Sequence, residues 1–527
     1  MPSYLVCISD MRVVKGAEVD EGYCALSYSW NQSGEVLINQ STGKSYRIDQ
    51  GMHKIIFSGK TVQKKPRGRK RTTDRSKFVK FEGLIQEICK DFNIKYIWYD
   101  QMCIDQENEK EKHREIRQMH KIYSNAHCTV ALVPELGTLP YKVNRRHARR
   151  RCVDVDLSNV DTSQWMRRMW TLEETIMSSK ILVVGRNTHS WGDKLAYLIS
   201  SVLFDEKFDY DVSDVLFYAH TRTSTKKHDH VFALANIFPD IMKDIEINYK
   251  QDVQELMIKF YGLLAKKNLS ILWFKNYRIY NTICAKPLND SIKFNSIGGT
   301  EIYIPIRNFN LPSWTGVYGE PRYSQGRKTS FENYNVSGRI LKITSRGLTY
   351  EQDRTEFLEI QRIKDLIPPF PQQDWDIEYC YGRPYSKLVI RVRSPVFTEE
   401  KLIMLESFDS ELNDRNYEDI METLRNLSHF WPIENLYFQW VSVDEKVSTS
   451  SFYFYDLTEP LQDSAQYVLL TEVLFESSEN PTIESTKSCP VIKRDGNYYK
   501  AIGMCDMFTD SNFFDDFTLE EETFEIH

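Results

Sequence analysis

The chain predicts an α/β fold: a parallel sheet with flanking helices over the first 200 residues, then a helical segment, then an α+β region. Two observations carry this. Strand-like and helix-like segments alternate along residues 1–200, and such alternation implies parallel strands joined by right-handed crossovers. Beyond about residue 276, short segments of period-two alternation take over, interrupted by two helical patches. These shifts suggest domains at 1–205, 206–275 and 276–527. A hydrophobic share of 41% and a charged share of 27% supply an ample core and a well-solvated surface.

The elements follow in order. Tyr23-Cys24-Ala25-Leu26-Ser27-Tyr28-Ser29-Trp30 reads as a buried strand, followed by a polar hairpin-like insert and a basic loop. Phe78 to Phe92 places apolar residues at 78, 81, 85, 88 and 92, which is helical spacing. Tyr96-Ile97-Trp98-Tyr99 is a second strand ending at Asp100. From Glu107 to Asn125 a charged helix carries the apolar stripe Ile116, Met119, Tyr123 and Ala126. Cys128 to Val133 is a third strand, stopped by Pro134. Asp161, Thr162 or Ser163 offers an N-cap for a helix bearing Trp170 and Glu174, which share one face. Ile181 to Val184, closed by Gly185, is a fourth strand.

Residues 210–275 read as mainly helical, most clearly from Tyr249 to Lys266. Strand alternation recurs at Glu301–Ile306, Ile340–Thr344, Leu388–Val392 and Ser451–Leu457. Glu351–Ile367 and Glu399–Leu427 read as helices. In a parallel sheet, ligands sit beyond the carboxyl ends of the strands. Ser29, Trp30, Asp100 and the start of the Glu174 helix all fall at that edge.

Composition excludes several classes. No run of about 18 apolar residues is present, so no membrane span is expected. The start lacks the layout of a secretory leader. Ten cysteines without a CxxC pair argue against a zinc site or disulfide framework and for a reducing, cytoplasmic setting. The basic run Lys64 to Arg71 offers nuclear import as the alternative. With Arg145 to Arg151 it also raises nucleic-acid binding, against which solvated inserts are the plainer reading. Neither a GxGxxG nor a GxxxxGK[ST] motif occurs, which removes the usual dinucleotide and P-loop fingerprints. His113, His120 and His127 recur every seven residues, and exposed helix positions account for them better than a metal. Residues 1–200 hold 33 Lys+Arg against 23 Asp+Glu, and the remainder holds 35 against 51. A basic front suits an anionic ligand. The acidic segment 504–527, which has no Lys or Arg, is expected to dock on that front as a tail.

Several segments together resemble a known family. Tyr23 to Trp30 resembles the opening YxALSYxW signature of the heterokaryon-incompatibility (HET) domain of fungi. Trp98-Tyr99-Asp100-Gln101-Met102-Cys103-Ile104-Asp105-Gln106 is similar to its WIDxxCIDQ motif. Met119 to Ala126 is similar to MxxIYxxA, and Arg168 to Glu174 to RxWTLQE. The order is the family's, over roughly residues 1–200. Fainter likenesses follow at Asp229 to Leu234, at Leu311-Pro312-Ser313-Trp314 and at Tyr498 to Gly503. Two departures stand out: Glu173 replaces the family's usual Gln, and Asn31 follows the first-motif Trp in place of Gly.

HET domains in turn resemble the TIR family, which implies a TIR-like, flavodoxin-like sheet. Enzymatic TIR members cleave NAD+ with a helix glutamate in a WCxxE pattern, and Trp170 to Glu174 has that Trp-to-Glu spacing. The resemblance therefore implies Glu174 as the catalytic residue, with NAD+ as substrate rather than cofactor and no metal. Ser29, Trp30, Asp100, Asp105, Gln106, Arg168 and Trp170 are the candidate binding residues. Asp105 also reads as the N-cap of the next helix, and Glu174 as a surface residue balancing Arg167 or Arg168. The resemblance further implies self-association on activation and cell death or incompatibility as the outcome. The rear region would meet a protein partner. The alternative is a non-enzymatic module that uses the same fold to assemble in self/non-self recognition.

Overall fold

The computed structural model describes residues 1–29, 36–38, 45–47, 53–57, 75–79, 81–105, 107–133, 137–138, 155–156, 163–185, 189–191, 211–220, 222–275, 309–322, 327–350, 360–371, 386–394, 397, 399–408, 412–433, 435–442, 445, 447–454, 457–477, 486–509 and 513–527. Contacts divide the chain into two compact units. The first is Met1–Asp209, Thr221–Leu256 and Lys293–Pro305; the second is Tyr210–His220, Met257–Ile292 and Ile306–His527.

The first unit is built on a seven-stranded sheet. Its strands in chain order are β1 (Tyr4–Cys7), β2 (Arg12–Lys15), β3 (Cys24–Ser27), β4 (Tyr96–Trp98), β5 (Thr129–Leu132), β6 (Ile181–Val184) and β7 (His189–Trp191). In space they run β7-β6-β5-β3-β4-β1-β2. The central four are parallel: Ala25 pairs with Trp98 on one side and Thr129 on the other, and Ile181 with Thr129. Antiparallel strands close both edges. Every residue of β3 and β5 is buried, as strands covered on both faces require. Among the parallel strands the order is second, first, third, fourth. The connections therefore reverse between β3 and β5, which is where such sheets open a crevice.

Helices α1 (Phe81–Asp91), α2 (Glu109–Ser124), α3 (Gln164–Arg167), α4 (Met169–Ile176) and α5 (Asp229–Ile237) accompany the sheet. The stripe expected of α2 is its buried face, with Ile116, Met119, Tyr123 and Ala126 all in the core. Two tyrosines latch it to β3: Tyr123 donates to the Leu26 carbonyl at 3.2 Å, and Tyr23 to that of Ile122 at 2.6 Å. All nine residues of α5 are buried. Asn236 on α5 donates to the Ile116 carbonyl at 2.9 Å and meets His120 Nδ1 at 3.1 Å. His120 is thus half-buried and partnered, unlike the exposed position expected, whereas His127 is exposed.

Two boundaries differ from the sequence reading. Phe78 lies in a strand, Arg75–Val79, paired with His53–Phe57. Its spacing fits a helix, but the cross-strand partner takes it. The second concerns the start of α2, which is capped by Asn108 accepting from Glu111 N at 3.3 Å, not by Asp105.

The second unit contains a β-barrel. Strand Ile340–Thr349 pairs with Tyr467–Leu470, which pairs with Thr486–Asp495, and that with Tyr498–Phe508. Strand Glu521–Ile526 closes the ring, pairing along Leu341–Arg346 and touching Tyr499. Glu521–Ile526 is therefore a structural strand of this unit, where a docking tail was expected; Phe524 and Ile526 point into the core. A three-stranded sheet orders Lys401–Phe408, Ser386–Arg393 and Asn435–Ser442, with helix Asp414–Ser428 in the same apolar core. Lys401–Phe408 was expected to be helical, but Ile403, Leu405 and Phe408 enter the core from a strand with a bulged register. Helix Ile360–Leu366 falls inside the expected patch, while the strand expected at Glu301–Ile306 lies outside the described residues. Ser313, in the LPSW segment, accepts from Ala501 N at 3.0 Å, so two of the late family-like segments meet. Among the described residues no helix is long and apolar enough to cross a membrane.

Candidate active site

Four segments of the first unit meet at the carboxyl end of β3. Ser27, its last residue, donates its hydroxyl hydrogen to Glu174 Oε2 and accepts from Trp165 Nε1 at 2.7 Å. Next to it, Tyr28 donates to Asp100 Oδ1 at 3.0 Å. Arg168 closes the group by donating to the Tyr28 carbonyl at 3.1 Å.

A break in the helix makes this possible. The segment expected as one helix stops at Arg167, and Arg168 adopts extended backbone, φ −85° and ψ 139°. Its neighbours exchange helical hydrogen bonds for a bridge to the chain at Thr223. Met169 N donates to the Thr223 carbonyl at 2.9 Å and Thr223 N to that of Arg167 at 2.6 Å. The bridge lets the Arg168 side chain turn back to β3. Ser163 is the cap that begins α3, accepting from Met166 N at 3.1 Å. Arg222 is buried beneath the break and donates to the Arg168 carbonyl at 3.0 Å and Thr171 Oγ1 at 2.9 Å.

The electrostatics single out one carboxyl group. Glu174 is only 6% exposed. Burial raises its pKa to about 7, with the Asp100 charge adding to the rise and Ser27, Arg168 and Tyr123 opposing it. It therefore titrates near neutrality, the range that suits a general acid or base. Its neighbour Glu173 is 0% exposed, and neither oxygen has a hydrogen-bond partner among the described residues. Burial, with Glu174 beside it, pushes Glu173 well above the ordinary range. It stays protonated, because an unpaired buried charge is far costlier than a neutral acid. Burial likewise pulls the Arg222 guanidinium down, opposed by the Glu174 charge.

The remaining candidates are placed as follows. Ser29 is 8% exposed, and its hydroxyl has no hydrogen-bond partner among the described residues. Asp100 opens the single turn Asp100–Cys103 and takes the Tyr28 bond. Asp105 is exposed and closes an Asx turn, accepting from Glu107 N at 3.0 Å and Asn108 N at 3.3 Å. The Trp170 indole lies beside Asp229 at the start of α5, and the Tyr249 hydroxyl donates to Asp229 Oδ1 at 2.8 Å. The indole linked to the Glu174 group is that of Trp165. Trp30 and Gln106 lie outside the described residues. Sequence reading missed Ser27, Trp165 and Arg222. For Ser27 a signal existed: it lies two residues from Ser29, on the same face of a strand. Among the described residues no group of three His, Cys, Asp or Glu side chains is placed to hold a metal ion.

A mixed α/β sheet with a buried carboxyl group at the crevice of its strand order defines the class of this unit. Residues 23–156 match the family model described as Heterokaryon incompatibility protein (HET), so this part of the chain is a HET domain. The match takes in β3 through β5 and α2; the Arg168 and Glu174 segment follows it. No curated protein and no solved structure matches the chain.

Proposed function

We propose that the HET domain is TIR-like and hydrolyses NAD+ to nicotinamide and ADP-ribose, with Glu174 as the catalytic carboxylate. The observation that carries this reading is the burial of Glu174 against Ser27 at the strand-order crevice, with a pKa of about 7. Cleavage breaks the bond between C1′ and the pyridinium nitrogen. The bonding pair leaves on nicotinamide, which departs neutral and needs no general acid. Positive charge develops on the ribose, as in glycoside hydrolysis, and a fixed carboxylate in a low-dielectric site stabilises it. Water then adds to C1′ and releases a proton. Ser27 holds the carboxylate, Ser29 offers its hydroxyl to ribose or phosphate, and Arg168 adds a positive charge for the phosphates. In this reading activity depends on self-association, and NAD+ loss is the signal for cell death or incompatibility. The second unit would receive a protein partner, and the chain would act in the cytoplasm.

The test is chromatographic detection of nicotinamide after incubating the full chain with NAD+ over a range of protein concentrations. Release that rises with protein concentration and stops in Glu174→Ala supports the reading. Undiminished release in that variant removes Glu174 from the mechanism. No release at any concentration leaves assembly without catalysis as the function.

A further inference from the structure

The second unit carries a groove of about 660 Å³ between helix Asp414–Ser428 and the residues Phe454, Leu457, Pro460 and Leu461. We infer that this groove binds an extended peptide of alternating basic and apolar residues.

The helix wall supplies the charge. Asp414, Glu418 and Glu422 follow at intervals of four, so they form one stripe along the rim. Glu418 and Glu422 are exposed and have no ion-pair partner among the described residues. The facing wall is apolar, formed by Phe454, Leu457 and Leu461. Met421 and Tyr417 lie on the helix side between the two. A cation already occupies one end: Lys364 Nζ is 5.3 Å from the Tyr417 ring centroid and 3.8 Å from Asp414 Oδ1. That end therefore accepts an ammonium group, by ring quadrupole and carboxylate together.

Spacing selects the ligand's form. Glu418 and Glu422 are about 6 Å apart along the helix axis, and alternate side chains of an extended peptide are about 6.6 Å apart. Basic side chains at alternate positions would meet the two carboxylates, and the residue between them would face Leu457 and Leu461. Arg425, at the far end of the helix wall, suits an acidic residue or a chain carboxylate after the basic ones.

The test uses the full chain and two fluorescein-labelled peptides, one of alternating Arg and Leu and one of alternating Glu and Leu, read by fluorescence anisotropy. The Arg–Leu peptide should bind, and salt should weaken it. The double variant Glu418→Lys/Glu422→Lys should lose about tenfold or more in affinity, since each exposed pair contributes up to about 1 kcal/mol and 1.4 kcal/mol is tenfold. Both positions are exposed, so the melting temperature should hold. Leu461→Ser should weaken binding several-fold. Equal binding of the two peptides, or wild-type affinity in the charge-reversed protein, overturns the proposal. So does polylysine binding as tightly as the Arg–Leu peptide, because the apolar wall would then play no part.

Discussion

Replacing Ser27 by Ala removes the hydroxyl that donates to Glu174 and accepts from Trp165. A hydrogen bond to a charged acceptor contributes about 1.5–3 kcal/mol, and about 1.4 kcal/mol corresponds to one pKa unit. Without that donor the Glu174 pKa should climb from about 7 by about one to two units. The ionised fraction at pH 7 then falls from about one half to between about 1 and 10%. If the ionised form stabilises the ribose cation, nicotinamide release at pH 7 should fall about 5- to 50-fold and recover most of the loss by pH 9. The fold should also weaken by about 1–3 kcal/mol, because the Trp165 N–H is left buried without an acceptor. The assay is the initial rate of nicotinamide release from pH 5.5 to 9.5 for wild type and variant, after checking that both remain folded. An acid limb at the same pH in both proteins, or an equal loss at every pH, would refute this role for Ser27.

Two further predictions concern stability. Glu174 has a folded pKa above its ordinary 4.5, so the folded state holds a proton that the unfolded state has released. Stability is therefore highest below the unfolded value and declines as pH rises from about 4.5 to about 7, by about 3 kcal/mol for Glu174. Glu173 acts in the same direction, and Glu173→Gln should flatten the decline: Tm unchanged near pH 4.5 but raised at pH 8, with an unaltered slope counting against a neutral Glu173. In the second unit, a Cβ on Gly347 would sit 2.6 Å from Phe524 Cζ and 2.7 Å from Val468 Cγ1. Gly347→Ala should cost about 1–3 kcal/mol and speed hydrogen exchange in Glu521–Ile526; an unchanged urea midpoint would mean that this strand does not close the barrel tightly.

The fold of the first unit was legible where period and burial agree. Cys24–Ser27 and Ile181–Val184 are short apolar runs between turn signals, and α2 has a clear stripe. What escaped depended on partners far along the chain. The break at Arg168 exists because Thr223 offers backbone hydrogen bonds 55 residues later, which no local pattern encodes. Lys401–Phe408 has residues suited to either period, and pairing with Ser386–Arg393 decides it. The acidity of 504–527 suggested a tail that docks on the basic front, yet Phe524 and Ile526 alternate inward as a barrel strand requires. At the site, the Trp-to-Glu spacing pointed to Glu174, but the burial of Glu174, its Ser27 donor and the role of Trp165 emerge only from the packing of four separate segments.

The most direct measurement compares NAD+ turnover by wild type and Glu174→Gln at high protein concentration. Glutamine keeps the side chain's volume and can still accept from Ser27, so folding and assembly should be preserved while the negative charge is lost. The account predicts nicotinamide release by the wild type and a loss of at least about 100-fold in the variant, the scale seen when one electrostatic stabiliser is removed. Equal turnover by the two proteins would contradict it.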